Sequence, residues 1–174
     1  MEQKLYDAIN DQITKELYSA YLYLAMASYF ASTSLDGFAH WMRVQATEET
    51  LHAMKFFNFL ADRNQRALMK AIAEPENEFV SVRDVFEKTL AHEKIVTASI
   101  NNIYRIAEEV NDNAAKFMLH WFITEQVEEE KNANSILDKL ALVDYNPAGI
   151  LFLDKELLAR PAAITVNVPW FTAA

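Results

Sequence analysis

The chain has 174 residues, with 25 acidic against 16 basic side chains, a formal net charge of −9, 52% apolar residues, no cysteine and two glycines. That charge balance argues against nucleic-acid binding, because such a surface must offset phosphate charge, and the lack of cysteine removes disulfide frameworks, thiolate zinc sites and thiol chemistry. Glycine is scarce against a usual share of about 7%, and a chain so poor in it lacks the positive-φ residues that tight hairpins and sheets need.

The length fits one domain over residues 1–174. Met1-Glu2-Gln3-Lys4 leads straight into amphipathic sequence without an apolar leader core, and no run reaches the roughly 18 apolar residues of a membrane span. A soluble, cytoplasmic protein without nucleic-acid or membrane partners is expected. Apolar residues at helical spacing predict a first helix over about 5–31, ended by Ser32-Thr33-Ser34. Ser34 is the expected cap of a second helix running to about residue 63. A connection over 64–80, containing Pro75, leads to Ser81, which with Asp84 forms a capping box for a third helix to about 110. Asp112 caps a fourth helix over about 112–142, Tyr145-Asn146-Pro147 ends it, and a short fifth helix spans about 150–160. The tail 161–174 shows no helical pattern. Short, long and short links between four long helices predict an all-α four-helix bundle with one long crossover, plus a fifth helix too short to join it.

Polar residues interrupt the apolar stripes. At about 100° per residue, Glu49 and His52 share an arc with Phe38, Trp41, Met42, Phe56 and Leu60. Glu16 falls among Ile9, Ile13, Ala20, Tyr23 and Ala27; Glu93 among Val82, Phe86, Leu90 and Ile100; Gln126 among Leu119, Ile123, Ala133 and Leu137, with Glu129 at the edge. An unpaired buried carboxylate costs several kcal/mol. Three or four of them converging with one imidazole and no inward Lys or Arg require positive charge from elsewhere, which a metal pair supplies. Oxygen-rich donors with one imidazole favour iron or manganese over zinc, and inward Glu with Glu-x-x-His is the di-iron carboxylate pattern.

Glu48-Glu49-Thr50-Leu51-His52, the Glu16/Tyr23 spacing, His92-Glu93, Glu125-Gln126-Val127-Glu128-Glu129-Glu130, Trp41-Met42-Arg43 and Leu151-Phe152-Leu153-Asp154-Lys155-Glu156-Leu157 together resemble the prokaryotic (bacterial and archaeal) non-haem ferritins over about residues 3–158. The resemblance implies a ferritin-like bundle assembled into a hollow shell of about 24 chains. Each chain would oxidise Fe(II) with O₂ or peroxide at an internal di-iron centre, and the shell would store the ferric oxide-hydroxide. By position it implies that Glu16 and His52 ligate one iron, Glu49 bridges both, Glu93 holds the second and Gln126 sits beside the pair. Glu48, Glu125, Glu128 and Glu129 match the third iron site of that family, with Glu129 able to lean toward the pair. Tyr23 and Trp121 match aromatic positions that could supply an electron to reduced oxygen.

The residues also separate relatives. Bacterioferritin has a haem-ligating Met after the bridging Glu and a second Glu-x-x-His in the fourth helix, where this chain has Thr50 and Gln126-Val127-Glu128-Glu129, so no haem is expected. Rubrerythrin needs a four-cysteine iron module. The DNA-protecting mini-ferritins lack the fifth helix and build their site between subunits. On spacing alone a solvated acidic face accounts equally well for Glu48 and Glu128-Glu129-Glu130, Tyr23 and Trp121 read as core aromatics, and an iron-free helical scaffold stands as the alternative function. His40, His92 and His120 carry no comparable constellation.

Overall fold

The computed structural model describes residues 1–161. The rest of the tail expected to be irregular lies outside the described residues. Five helices form in chain order, α1 (Gln3–Ser32), α2 (Asp36–Asp62), α3 (Val82–Glu109), α4 (Asn113–Leu142) and α5 (Pro147–Leu157), with no strand among the described residues. The first four have 27 to 30 residues each, a length of roughly 40–45 Å.

α1 packs most extensively on α2, and α3 on α4. The crossover between α2 and α3 runs the length of α1. Near its start, Asn10 clamps Leu68 by donating to its carbonyl at 3.0 Å and accepting its N–H at 2.7 Å, and the Tyr6 hydroxyl donates to Arg66 O at 2.7 Å. Near its end, buried Phe79 meets Tyr29 with ring centroids 5.5 Å apart. α3 therefore starts beside the start of α2, where Phe86 packs on Phe38 and Trp41, and the two helices run parallel. This is the all-α, ferritin-like arrangement with one long crossover that the link lengths predict.

Two of the three expected caps form. Ser81 Oγ accepts Asp84 N–H at 3.0 Å, and Asp112 Oδ1 accepts Ala115 N–H at 3.0 Å. Ser34 does not cap α2: it adopts φ 60°, Leu35 is the flanking residue, and no side chain of the link bonds the helix. Asp154 of α5 takes that role by accepting the N–H groups of Gly37 and Phe38. Asn146 was expected only to end α4. Its side chain accepts Gly149 N–H at 2.9 Å and Pro147 occupies the first turn, so α5 begins three residues earlier than the periodicity indicates. The left-handed positions at helix ends are filled by Ser34, Asn64, Asn111, Asp144 and Tyr145, and neither glycine has positive φ.

The core has two apolar ends. One contains Phe30, Phe38, Trp41, Met42 and Phe86, the other Leu5, Ile9, Phe56, Leu60 and Phe122. Each fully buried residue of this size contributes about 1.5–3 kcal/mol. Between the two ends lies a buried polar belt: Gln12, Glu16, Ser19, Gln45, Glu49, His52, Glu93, Gln126 and Glu129. The apolar halves stabilise a bundle whose middle layer opposes folding.

Candidate metal centre

Helical spacing delivers one to three members of this belt from each long helix. Glu16 projects from α1, and Glu49 and His52, three residues apart, from one face of α2. Donor atoms of Glu16, Glu49 and His52 all lie within 4.8 Å of one another, and so do those of His52, Glu125 and Glu129. His52 belongs to both groups. Its Nδ1 is 3.5 Å from Glu49 Oε2 and its Nε2 is 3.8 Å from Glu125 Oε1.

Glu93 is buried beside the first group without belonging to either triad. It accepts hydrogen bonds from the Tyr23 hydroxyl and, at 3.1 Å, from Gln126 Nε2, which lies 3.3 Å from Glu93 O and from Thr97 Oγ1. Glu129 Oε2 accepts from Gln45 Nε2 at 2.8 Å. Glu48 is bound by Arg160 at 2.6 Å. Glu128 is exposed and joins neither triad. Trp121 is 39% exposed, at the rim rather than in the core that its spacing suggests. Its ring centroid lies 5.4 Å from that of His52 with the planes at 75°, and Lys55 Nζ lies 3.6 Å from its centroid.

The belt carries more negative charge than its hydrogen bonds satisfy. Glu16 Oε2 and Glu49 Oε2 are buried without a hydrogen-bond partner. Burial, followed by the charge of Glu49, pushes the Glu16 carboxyl well above its usual range, against the opposing pull of His52 and Gln12. Burial, then Glu93 and Glu129, do the same to Glu49. Glu93 is also raised by burial, although Tyr23 and Gln126 hold it back. Glu129 is raised to about 8, chiefly by burial and then by Glu93. The Tyr23 phenol is held protonated by burial and by the charges of Glu93 and Glu49. Such a set must either hold protons or bind cations, and hard oxygen donors with one imidazole and two free carboxylate oxygens fit a pair of divalent iron ions.

Supporting residues escape the sequence reading. Gln12 Nε2 donates to Glu16 Oε1 at 2.9 Å while its carbonyl accepts from Ser99 Oγ at 2.6 Å. Gln12 precedes Glu16 by four residues and Gln45 precedes Glu49 by four, so an amide one turn before the inward acid of α1 and of α2 is the signal that identifies them. Arg160 follows α5, and no periodicity points to it. His92, given no role from sequence, sits against Ser19 Oγ at 2.7 Å, with burial lowering its pKa to about 4.

Residues 6–143 match the profile of the ferritin-like domain family. The chain is 37% identical over 160 residues to a bacterial non-heme ferritin of Staphylococcus saprophyticus, covering 92% of this chain and 96% of that one. It is 36% identical over 157 residues to a probable bacterial non-heme ferritin-like protein of Haemophilus influenzae, covering 90% and 95% respectively. Its fold superposes with a TM-score of 0.91 and 45% identity on an open pore ferritin from the hyperthermophilic archaeon Archaeoglobus fulgidus, covering 92% and 98%. A closed form of that ferritin engineered by mutagenesis gives a TM-score of 0.90 at 46% identity, with the same coverage. This chain belongs to the ferritin family.

Proposed function

We propose that the protein stores iron by oxidising Fe(II) at a two-iron centre formed by Glu16, Glu49, His52 and Glu93, and by keeping the ferric oxide-hydroxide inside a shell of about 24 copies. The observation that carries this reading is the pair of buried carboxylate oxygens without partners, Glu16 Oε2 and Glu49 Oε2, beside His52. Family membership supports storage as the role. Two Fe(II) held side by side can together pass two electrons to O₂ or peroxide, and anionic oxygen ligands favour the Fe(III) product.

The chain's own residues do the positioning. Glu49 would be shared by the two irons, with Glu16 and His52 holding one and Glu93 the other. Gln12 and Gln126 orient the outer carboxylates. Tyr23 is the candidate one-electron donor, its phenolic proton already hydrogen-bonded to Glu93; Trp121, at the rim, is the second. Glu48, Glu125, Glu128 and Glu129 form a third, more solvated iron site; the donor triad of Glu125 and Glu129 with His52 supports it. No haem belongs to this reading.

A single domain over 1–174 and a cytoplasmic location complete the proposal. Among the described residues no helix is long and apolar enough to cross a membrane. The test is anaerobic Fe(II) titration followed by O₂ uptake on the intact assembly, with light scattering for its mass. Two or three irons per chain, rapid oxygen consumption and a mass near that of 24 chains are expected. A monomer that binds no iron would instead indicate an iron-free scaffold.

A further inference from the structure

The turn that ends α5 carries a cation into the carboxylate cluster. Asp154 anchors α5 on α2 through Gly37 N–H at 2.8 Å and Phe38 N–H at 3.0 Å, and Lys139 of α4 holds Glu156 at 2.5 Å. Beyond the helix, the Arg160 guanidinium lies 4.5 Å from the Trp41 ring centroid and donates through Nη1 to Trp41 O at 3.4 Å. Its Nη2 bonds both Gln45 Oε1 and Glu48 Oε2. His40 Nε2 lies 2.9 Å from the Arg160 carbonyl, and the Arg160 side chain is only 18% exposed. With its carbonyl oxygen engaged by Arg160, Gln45 turns its amide nitrogen to Glu129. Arg160 thus reaches two of the four third-site carboxylates, Glu48 directly and Glu129 through Gln45.

We propose that Arg160 is a positioning residue that competes with iron for the third site: its guanidinium holds Glu48 as an internal cation, and iron takes Glu48 only when the guanidinium withdraws. The inference rests on the reading of Glu48, Glu125, Glu128 and Glu129 as an iron site. A guanidinium 2.6 Å from a carboxylate oxygen and a divalent cation on that same carboxylate repel each other strongly, and arginine does not lose its charge. An open cleft of about 370 Å³, lined in part by Asn132, Ser135 and Glu156, adjoins Arg160 and gives the side chain somewhere to go. The consequence is a weak, transient third site that releases iron onward, with an affinity set by how α5 is docked.

Anaerobic titration of the intact assembly with Fe(II), and separately with Zn(II) as a probe that does not change oxidation state, counts the sites and measures the affinity of the third. Arg160→Gln is expected to tighten the third site by about tenfold in both titrations and to leave the first two sites within about twofold. Arg160→Lys, which keeps the charge and loses the fork, should gain less. In a Glu48→Gln background Arg160→Gln should gain nothing, because the contested carboxylate is gone. Equal or weaker third-site binding in Arg160→Gln, or the same gain without Glu48, overturns the competition. Should neither wild type nor variant bind a third ion, the third-site reading and this inference both fail; three ions bound with equal affinity sinks the inference alone. Light scattering checks assembly, and if Arg160→Gln does not assemble, the presence or absence of a gain in Arg160→Lys decides.

Discussion

Asp154 of α5 and Gly37 of α2 are in such close contact that a Cβ on residue 37 would lie 1.6 Å from the Asp154 carbonyl oxygen. The same aspartate closes the N-terminus of α2 with its side chain. Backbone and carboxylate of one residue therefore meet the one position of α2 without a side chain, and this joint fixes the direction in which α5 leaves the bundle.

Gly37→Ala should force α5 off α2. Overpacking at a rigid backbone contact typically costs about 1–3 kcal/mol, and a thermal melt should show a clear loss. Asp154→Ala removes the cap without a clash and should cost less, about 1 kcal/mol. An unchanged melting temperature in Gly37→Ala would show that α5 does not dock as described.

Above about pH 6.5, where buried His92 with its pKa lowered to about 4 no longer acts in the opposite direction, stability of the metal-free protein should fall as pH rises. Glu16, Glu49, Glu93 and Glu129 all have carboxyl groups raised in the fold, Glu129 to about 8. The folded state then binds more protons than the unfolded chain, so their contribution is fully present below the unfolded pKa near 4.5 and is lost as pH climbs toward 8. Divalent cations should reverse this, because they replace the protons. Melts at pH 6.5, 7.2 and 8 with and without Zn(II) test both statements; a metal-free protein more stable at pH 8 than at pH 6.5 would contradict the first.

Glu49→Gln separates stability from activity. The amide removes the charge at the centre of the belt, so the metal-free variant should lose less stability between pH 5 and 8 than wild type. If Glu49 holds iron as proposed, initial Fe(II) oxidation should slow by about 100-fold or more. Stopped-flow absorbance and melting curves on one preparation check both, and wild-type kinetics would remove Glu49 from the centre.

The bundle and its buried polar belt were legible because both follow from helical periodicity. Glu16, Glu49, His52, Glu93 and Gln126 stand out as polar residues on apolar arcs, and all five are buried. Periodicity says nothing about contacts between distant segments. Ser34 looked like a cap because its residue type suits one, yet the capping group of α2 comes from Asp154, more than a hundred residues on. Arg160 is missed for the same reason: it reaches Glu48 only after α5 has docked. Glu128 and Glu129, adjacent in sequence, also part ways, one exposed and one buried, since a step of 100° carries one across the boundary of the core.

That difference in burial sets what each glutamate should contribute to the proposed third site. Glu125 Oε1 lies 3.8 Å from His52 Nε2 and shares the second donor triad with Glu129, whereas Glu128 is exposed and outside it. Glu125→Ala should therefore lose one Fe(II) per chain in an anaerobic titration, and Glu128→Ala should weaken that site by only a few-fold, since an exposed carboxylate contributes little to holding a cation. Neither change touches Glu16, Glu49 or Glu93, so the first oxidation phase should stay within about threefold of wild type. What should change is the later phase, in which Fe(III) leaves the centre. A collapsed first phase in Glu125→Ala would make Glu125 a ligand of the pair through its proximity to His52. Three irons still bound per chain in both variants would reduce these glutamates to an acidic face.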